Sequence, residues 1–197
     1  SVQDLIGEPF RLVLSAENTS FHGMGREDID VRCLGRGRPF VLEVKHPRVR
    51  RTDLEEVMKV VNSNGADKIE ISDLRWTNRS EVSRVKETRA EKSYTIRFSV
   101  EEQPEESFII ESISKLSGVT LEQQTPKRVS HRRADLIRKR KVVSIDNVVV
   151  EDDEIQFSVR CEAGTYVKEL VHSDEGRTVP SVAGGLESPC EGRGRDV

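Results

Sequence analysis

From residue 92 to residue 100 the chain reads KSYTIRFSV, an alternation without a slip. Tyr94, Ile96, Phe98 and Val100 share one parity, and Ser93, Thr95, Arg97 and Ser99 the other. Side chains of an extended chain leave opposite faces in turn, so this stretch is a strand with one wet face and one buried face. Residues 142–150 and 154–162 are two more β-rich runs around an acidic turn, and they read as a pair. Helical patterns fall between these strands, so the fold class expected is α+β: a mostly antiparallel sheet flanked by helices and loops.

The remaining elements follow from local pattern. Residues 10–15 read as a first strand, 18–24 as a loop, and a second strand runs through Asp28. Gly35-Arg36-Gly37 turns that strand into PFVLEVK (39–45), a predicted hairpin. Residues 52–62 are a helix, with Thr52 and Glu55 as a capping box and Leu54, Val57, Met58 and Val61 as its apolar stripe. A strand is expected over 67–74 with Ile69 and Ile71 inward, and a short helix from Ser80 to Thr88. Residues 105–116 form a helix stopped by Gly118, and 119–124 a strand. Ala163-Gly164 turns into a helix over 165–173. The tail from 184 to 197 has almost no apolar content and is expected to be coil, which leaves 1–183 as one domain.

Net charge is -3, yet the cations are segregated. Residues 32–51 hold seven basic side chains against one acid, and residues 123–143 hold eight against one. Local potential rather than net charge steers a polyanion, so both segments are candidate polyanion-binding surfaces. The three cysteines are odd in number and widely spaced, which argues against a disulfide framework or a zinc knuckle and fits a reducing cytoplasm. No apolar run is long enough for a membrane span, and no export signal is visible.

In Gly25-Arg26-Glu27-Asp28-Ile29-Asp30-Val31-Arg32, the residues Arg26, Asp28, Asp30 and Arg32 share one parity, which a solvated strand would also show. Glu27, Asp28 and Asp30 admit a metal-dependent nuclease, although Arg26 and Arg32 compete for those carboxylates. His22, His46, His131 and His172 lack paired ligand spacing. There is no Gly-x-Ser-x-Gly elbow, P-loop or dinucleotide fingerprint, so no metal and no cofactor is expected. Taken one at a time, Tyr94 reads as core packing and Lys168 as a solvated helix residue.

Taken together, the motifs resemble those of pseudouridine synthases. Gly25-Arg26-Glu27-Asp28 is similar to their aspartate motif, Lys92-Ser93-Tyr94 to their Lys-x-Tyr motif, and Gly164-Thr165-Tyr166-Val167-Lys168 to their third motif. With Gly37-Arg38-Pro39-Phe40, the run from Gln124 through Arg133 and the run on to Thr178, the ordered set resembles one family across nearly the whole chain. That family is the archaeal and eukaryotic tRNA pseudouridine synthases of positions 54 and 55, which carry a THUMP-containing accessory domain.

The resemblance implies that Asp28 is the nucleophile, Tyr94 stacks on the flipped uracil, Lys168 pairs with Asp28, and Leu170 helps wall the base pocket. Arg26, with Arg48, Arg50 and Arg51 in one loop and Lys127, Arg128, Arg132 and Arg133 in the other, would hold the tRNA. Elementary chemistry agrees: a carboxylate kept ionised in a dry site needs a fixed cation. An aromatic face also repays part of the stacking lost by an extruded base, roughly 1–3 kcal/mol. Two departures stand out. The accessory domain has no counterpart in these residues, so it is expected as a separate RNA-binding partner or a missing part. After Gly184 the chain reads GLESPCEGRGRDV where the family has a hydrophobic closing strand, which predicts an unpaired sheet edge. A catalytically silent RNA-binding domain is the alternative reading.

Overall fold

The computed structural model describes residues 1–25, 31–101 and 104–186, with the backbone of 190–194. The chain divides into two compact units, residues 1–26 with 38–88, and residues 27–37 with 89–197.

The first unit opens with α1 (Val2–Val13), where a strand is expected over 10–15. Ser1 and Asp4 form a reciprocal cap, and Ile6, Phe10 and Leu14 bury one stripe at helical spacing. Pro9 lies inside the helix and hid this pattern, because proline normally breaks one. The hairpin also has a different first arm. β1 (Asn18–Gly23), expected as a loop, pairs antiparallel with β2 (Phe40–Lys45), and Phe21 stacks on Phe40 at 5.1 Å. α2 (Leu54–Asn64) starts one residue after its cap Asp53, which accepts from the backbone of Glu55 and Glu56 in place of the expected Thr52.

Residues 67–74 form no strand. Asn62 bonds Ile71 through both its amide groups, at 2.8 and 3.0 Å, and so supplies the backbone partner a neighbouring strand would have given. Ile71 is buried as expected, and Ile69 packs against the same cluster. α3 (Ser80–Glu87) completes the unit.

The second unit is a six-stranded sheet of order β7-β4-β5-β6-β3-β8 in which every described pairing is antiparallel. Its strands are β3 (Lys92–Val100), β4 (Thr120–Gln124), β5 (Ile137–Glu151), β6 (Glu154–Cys161), β7 (Thr178–Val179) and β8 (Cys190–Gly194). β3 keeps its predicted bounds and its predicted inward face: Ile96, Phe98 and Val100 are buried, and Tyr94 packs against the same cluster. Ile96 lies opposite Phe157 in the register, and Phe98 meets Phe157 edge-on at 6.1 Å. α4 (Glu106–Ser114), α5 (Val167–His172) and α6 (Val182–Leu186) cover this face through Ile109, Ile113, Leu170, Val171, Val182 and Leu186.

The segment expected as coil from 184 onward contains the end of α6 and strand β8. The edge of β3, expected unpaired, is paired with β8 from Val100↔Cys190 to Ile96↔Gly194. Ladder bonds use only backbone groups, so a run poor in apolar residues can still close an edge.

Candidate active site

The third motif is held by a polar residue that sequence reasoning passed over. Gln123 of β4 is 0% exposed, at a parity shared with buried Leu121. Its side-chain amide donates to the Tyr166 carbonyl at 2.9 Å, and its oxygen accepts from the Tyr166 N–H at 2.9 Å. Tyr166 is the N-cap of α5, so Gln123 sets where that helix begins. Upstream, Thr165 closes the turn onto the Glu162 carbonyl through both N–H and hydroxyl. Gly164 sits at φ +83°, and a Cβ there would meet the Arg140 guanidinium at 3.4 Å. The contact is an ordinary one, and it is the positive φ that favours glycine at this turn.

Lys168 lies in the first turn of α5 and is half-buried. Leu170 is 0% exposed, in the core cluster that also takes Val167 and the ring of Tyr94. The structure thus brings the second and third motifs to one cluster, from strand β3 and helix α5. Arg26 and Asp28 lie outside the described residues. Among the described residues, no group of three or more His, Cys, Asp or Glu forms a metal site. Among the same residues, no helix is long and apolar enough to cross a membrane. Cys161 is fully buried, and burial pushes its thiol up to about 11, so it acts as packing rather than as a nucleophile.

The basic segment of this unit is a 3-10 helix (Lys127–Arg132) braced by acids. Arg128 grips Glu169 of α5 with Nε to Oε1 at 2.8 Å and a second nitrogen to Oε2 at 3.3 Å. Lys127 pairs with Glu175, and its N–H donates to Asp174 at 2.9 Å. Arg177 donates twice to the Thr125 carbonyl and once to Asp135. His131, Arg132 and Arg133 stay exposed, with Arg133 reaching the Tyr166 hydroxyl at 3.3 Å. In the first unit Arg48, Arg50 and Arg51 are exposed. The sequence signal that was available for Gln123 and Glu169 was a polar residue at a core position: Gln123 at the parity of Leu121, and Glu169 one turn-mate from Leu170 and Val171.

The family model described as "Pus10, C-terminal" matches residues 1–197. A tRNA pseudouridine synthase Pus10 from Methanothrix thermoacetophila is 47% identical over 190 residues, covering 95% of this chain and 41% of that protein. The protein of that name from Thermoplasma acidophilum is 40% identical over the full chain and half of its own length. The chain therefore spans half or less of these relatives. In a Cbf5-Nop10-Gar1 complex one chain superposes with a TM-score of 0.53 at 20% identity, over 95% of this chain and 41% of that one, which shows a shared fold. With its motifs in order, its sheet and helices in place and the family model matched from end to end, this chain belongs to the Pus10 C-terminal family.

Proposed function

We propose that this chain is the catalytic part of a tRNA pseudouridine synthase, acting in the cytoplasm on T-arm positions 54, 55 or both. The observation that carries the reading is the 47% identity to a protein of that name over 95% of this chain. In this reading the Asp28 carboxylate attacks the uracil ring or the ribose C1′. The N1–C1′ bond breaks, the base turns, C5 bonds to C1′, and the bond to Asp28 breaks to free its carboxylate; C5 loses a proton and N1 gains one. Nothing is oxidised or transferred away, so the isomerisation needs no cofactor.

The other residues take supporting roles. Tyr94 would offer its ring to the extruded base. Lys168, presented by the turn that Gln123 locks, would keep Asp28 ionised. Arg26, Arg48, Arg50, Arg51, Arg132 and Arg133 would meet phosphates, and an accessory RNA-binding domain would add affinity.

The test is incubation of the full-length protein with a tRNA transcript, followed by carbodiimide treatment and primer extension. Wild type should yield a stop in the T-arm, and Asp28→Asn should abolish it. Undiminished product from Asp28→Asn would sink the nucleophile. Salt-dependent binding without product at any protein concentration would leave a silent RNA-binding domain.

A further inference from the structure

Glu169 follows Lys168 directly and is 1% exposed, on a six-residue helix otherwise buried by Leu170 and Val171. A carboxylate at that depth needs a cation and hydrogen bonds, and Arg128 supplies both in a two-point grip at 2.8 and 3.3 Å. Such a pair is a poor way to gain stability, because apolar residues of similar volume serve as well. What a two-point grip does provide is a fixed distance and a fixed rotation between the elements it joins.

Those elements are unequal in kind. Arg128 belongs to the 3-10 segment whose His131, Arg132 and Arg133 face solvent. Glu169 belongs to the turn of α5 that carries Lys168. The joint is reinforced on both flanks, by Lys127 on Asp174 and Glu175 and by Arg177 on Thr125. One short basic segment therefore divides its labour, with Arg132 and Arg133 facing outward and Arg128 turned inward onto α5.

We propose that the Arg128–Glu169 pair is a positioning strut, which ties the seating of residues 131–133 on an RNA backbone to the placement of Lys168. This rests on the pseudouridine synthase reading above. Arg128, which motif resemblance groups with the RNA-gripping cations, is then a positioning residue, and Arg132 is an RNA contact.

The test compares Arg128→Met, Glu169→Gln, their double variant and Arg132→Ala in the full-length protein, with kcat and KM measured on a tRNA transcript. Each strut variant should lose kcat by about 10- to 100-fold, with KM within about threefold. The double variant should be no worse than either single one. Arg132→Ala should raise KM and spare kcat. Arg128→Lys keeps the charge but not the two-point geometry, so it should behave like Arg128→Met, and it carries the test if Glu169→Gln does not fold.

Additive losses, or a lowered melting temperature with unchanged kcat, would reduce the pair to a structural brace and overturn the proposal. So would a raised KM for Arg128→Met alone, which would make Arg128 a phosphate contact. If wild type makes no pseudouridine, the functional reading fails, and the strut is read instead by hydrogen exchange. Added tRNA should then protect the amides of 167–172 in wild type and not in Glu169→Gln; equal protection in both would end the proposal.

Discussion

The two basic segments look alike in composition and are built in opposite ways. Residues 46–51 are held by backbone alone: the N–H groups of Arg48 and Val49 donate to the Leu14 carbonyl at 3.1 and 3.0 Å. The side chains of Arg48, Arg50 and Arg51 are exposed and make no hydrogen bond or ion pair among the described residues. Residues 127–132 are instead pinned by Glu169, Asp174 and Glu175. The cause is topological. β4 runs antiparallel to β7 with Gln123 opposite Thr178, so the chain leaving β4 passes alongside the chain that enters β7, which carries those acids. A cation's role is decided by which acids the fold sets beside it, and a count of charges cannot supply that.

The largest effect that would sharpen this contrast lies at Gln123. Gln123→Ala leaves the Tyr166 N–H and carbonyl without their buried partner, and should cost about 3 kcal/mol in a denaturant melt. A loss under about 1 kcal/mol would mean the turn holds itself. Glu169→Ala removes the carboxylate that grips the partly buried Arg128 guanidinium and should cost about 2 kcal/mol. By contrast Arg50→Ala in the unbraced loop should stay within about 0.5 kcal/mol of wild type. Comparable losses at the two sites would erase the distinction.

Binding should reverse that order. Replacing Arg48, Arg50 and Arg51 together by alanine should leave the melt unchanged and flatten the slope of log affinity for tRNA against log salt by about 2. An unchanged slope would remove this loop from the RNA surface. The smallest effect belongs to Lys139→Ala. Its ion pair with Glu122 spans 3.6 Å between side chains that are 74% and 59% exposed, so stability should move by less than about 0.5 kcal/mol.

Much of the second unit was legible from pattern. The alternation over 92–100 named the bounds and the buried face of β3, and the acidic turn marked the β5–β6 pair. The first unit was less legible, for identifiable reasons. Pro9 masked a helix whose stripe of Ile6, Phe10 and Leu14 is otherwise regular. Asn62 took the place of a strand partner for Ile71, so an alternating run never joined a sheet. At the site, motif resemblance pointed to Tyr94 and Lys168, but it was silent on what holds them.

By itself the sequence determined which residues face inward on β3, that a helix runs through 54–62, and which family the chain resembles. These depend on periodicity, capping and motif order, all local in the chain. Only the tertiary structure decided that Gln123 would replace a backbone ladder at Tyr166, that Glu169 would claim Arg128, and that β8 would cover the edge of β3. Each joins positions about forty or more residues apart, where the partner is chosen by sheet register and by the cost of leaving a buried polar group unpaired.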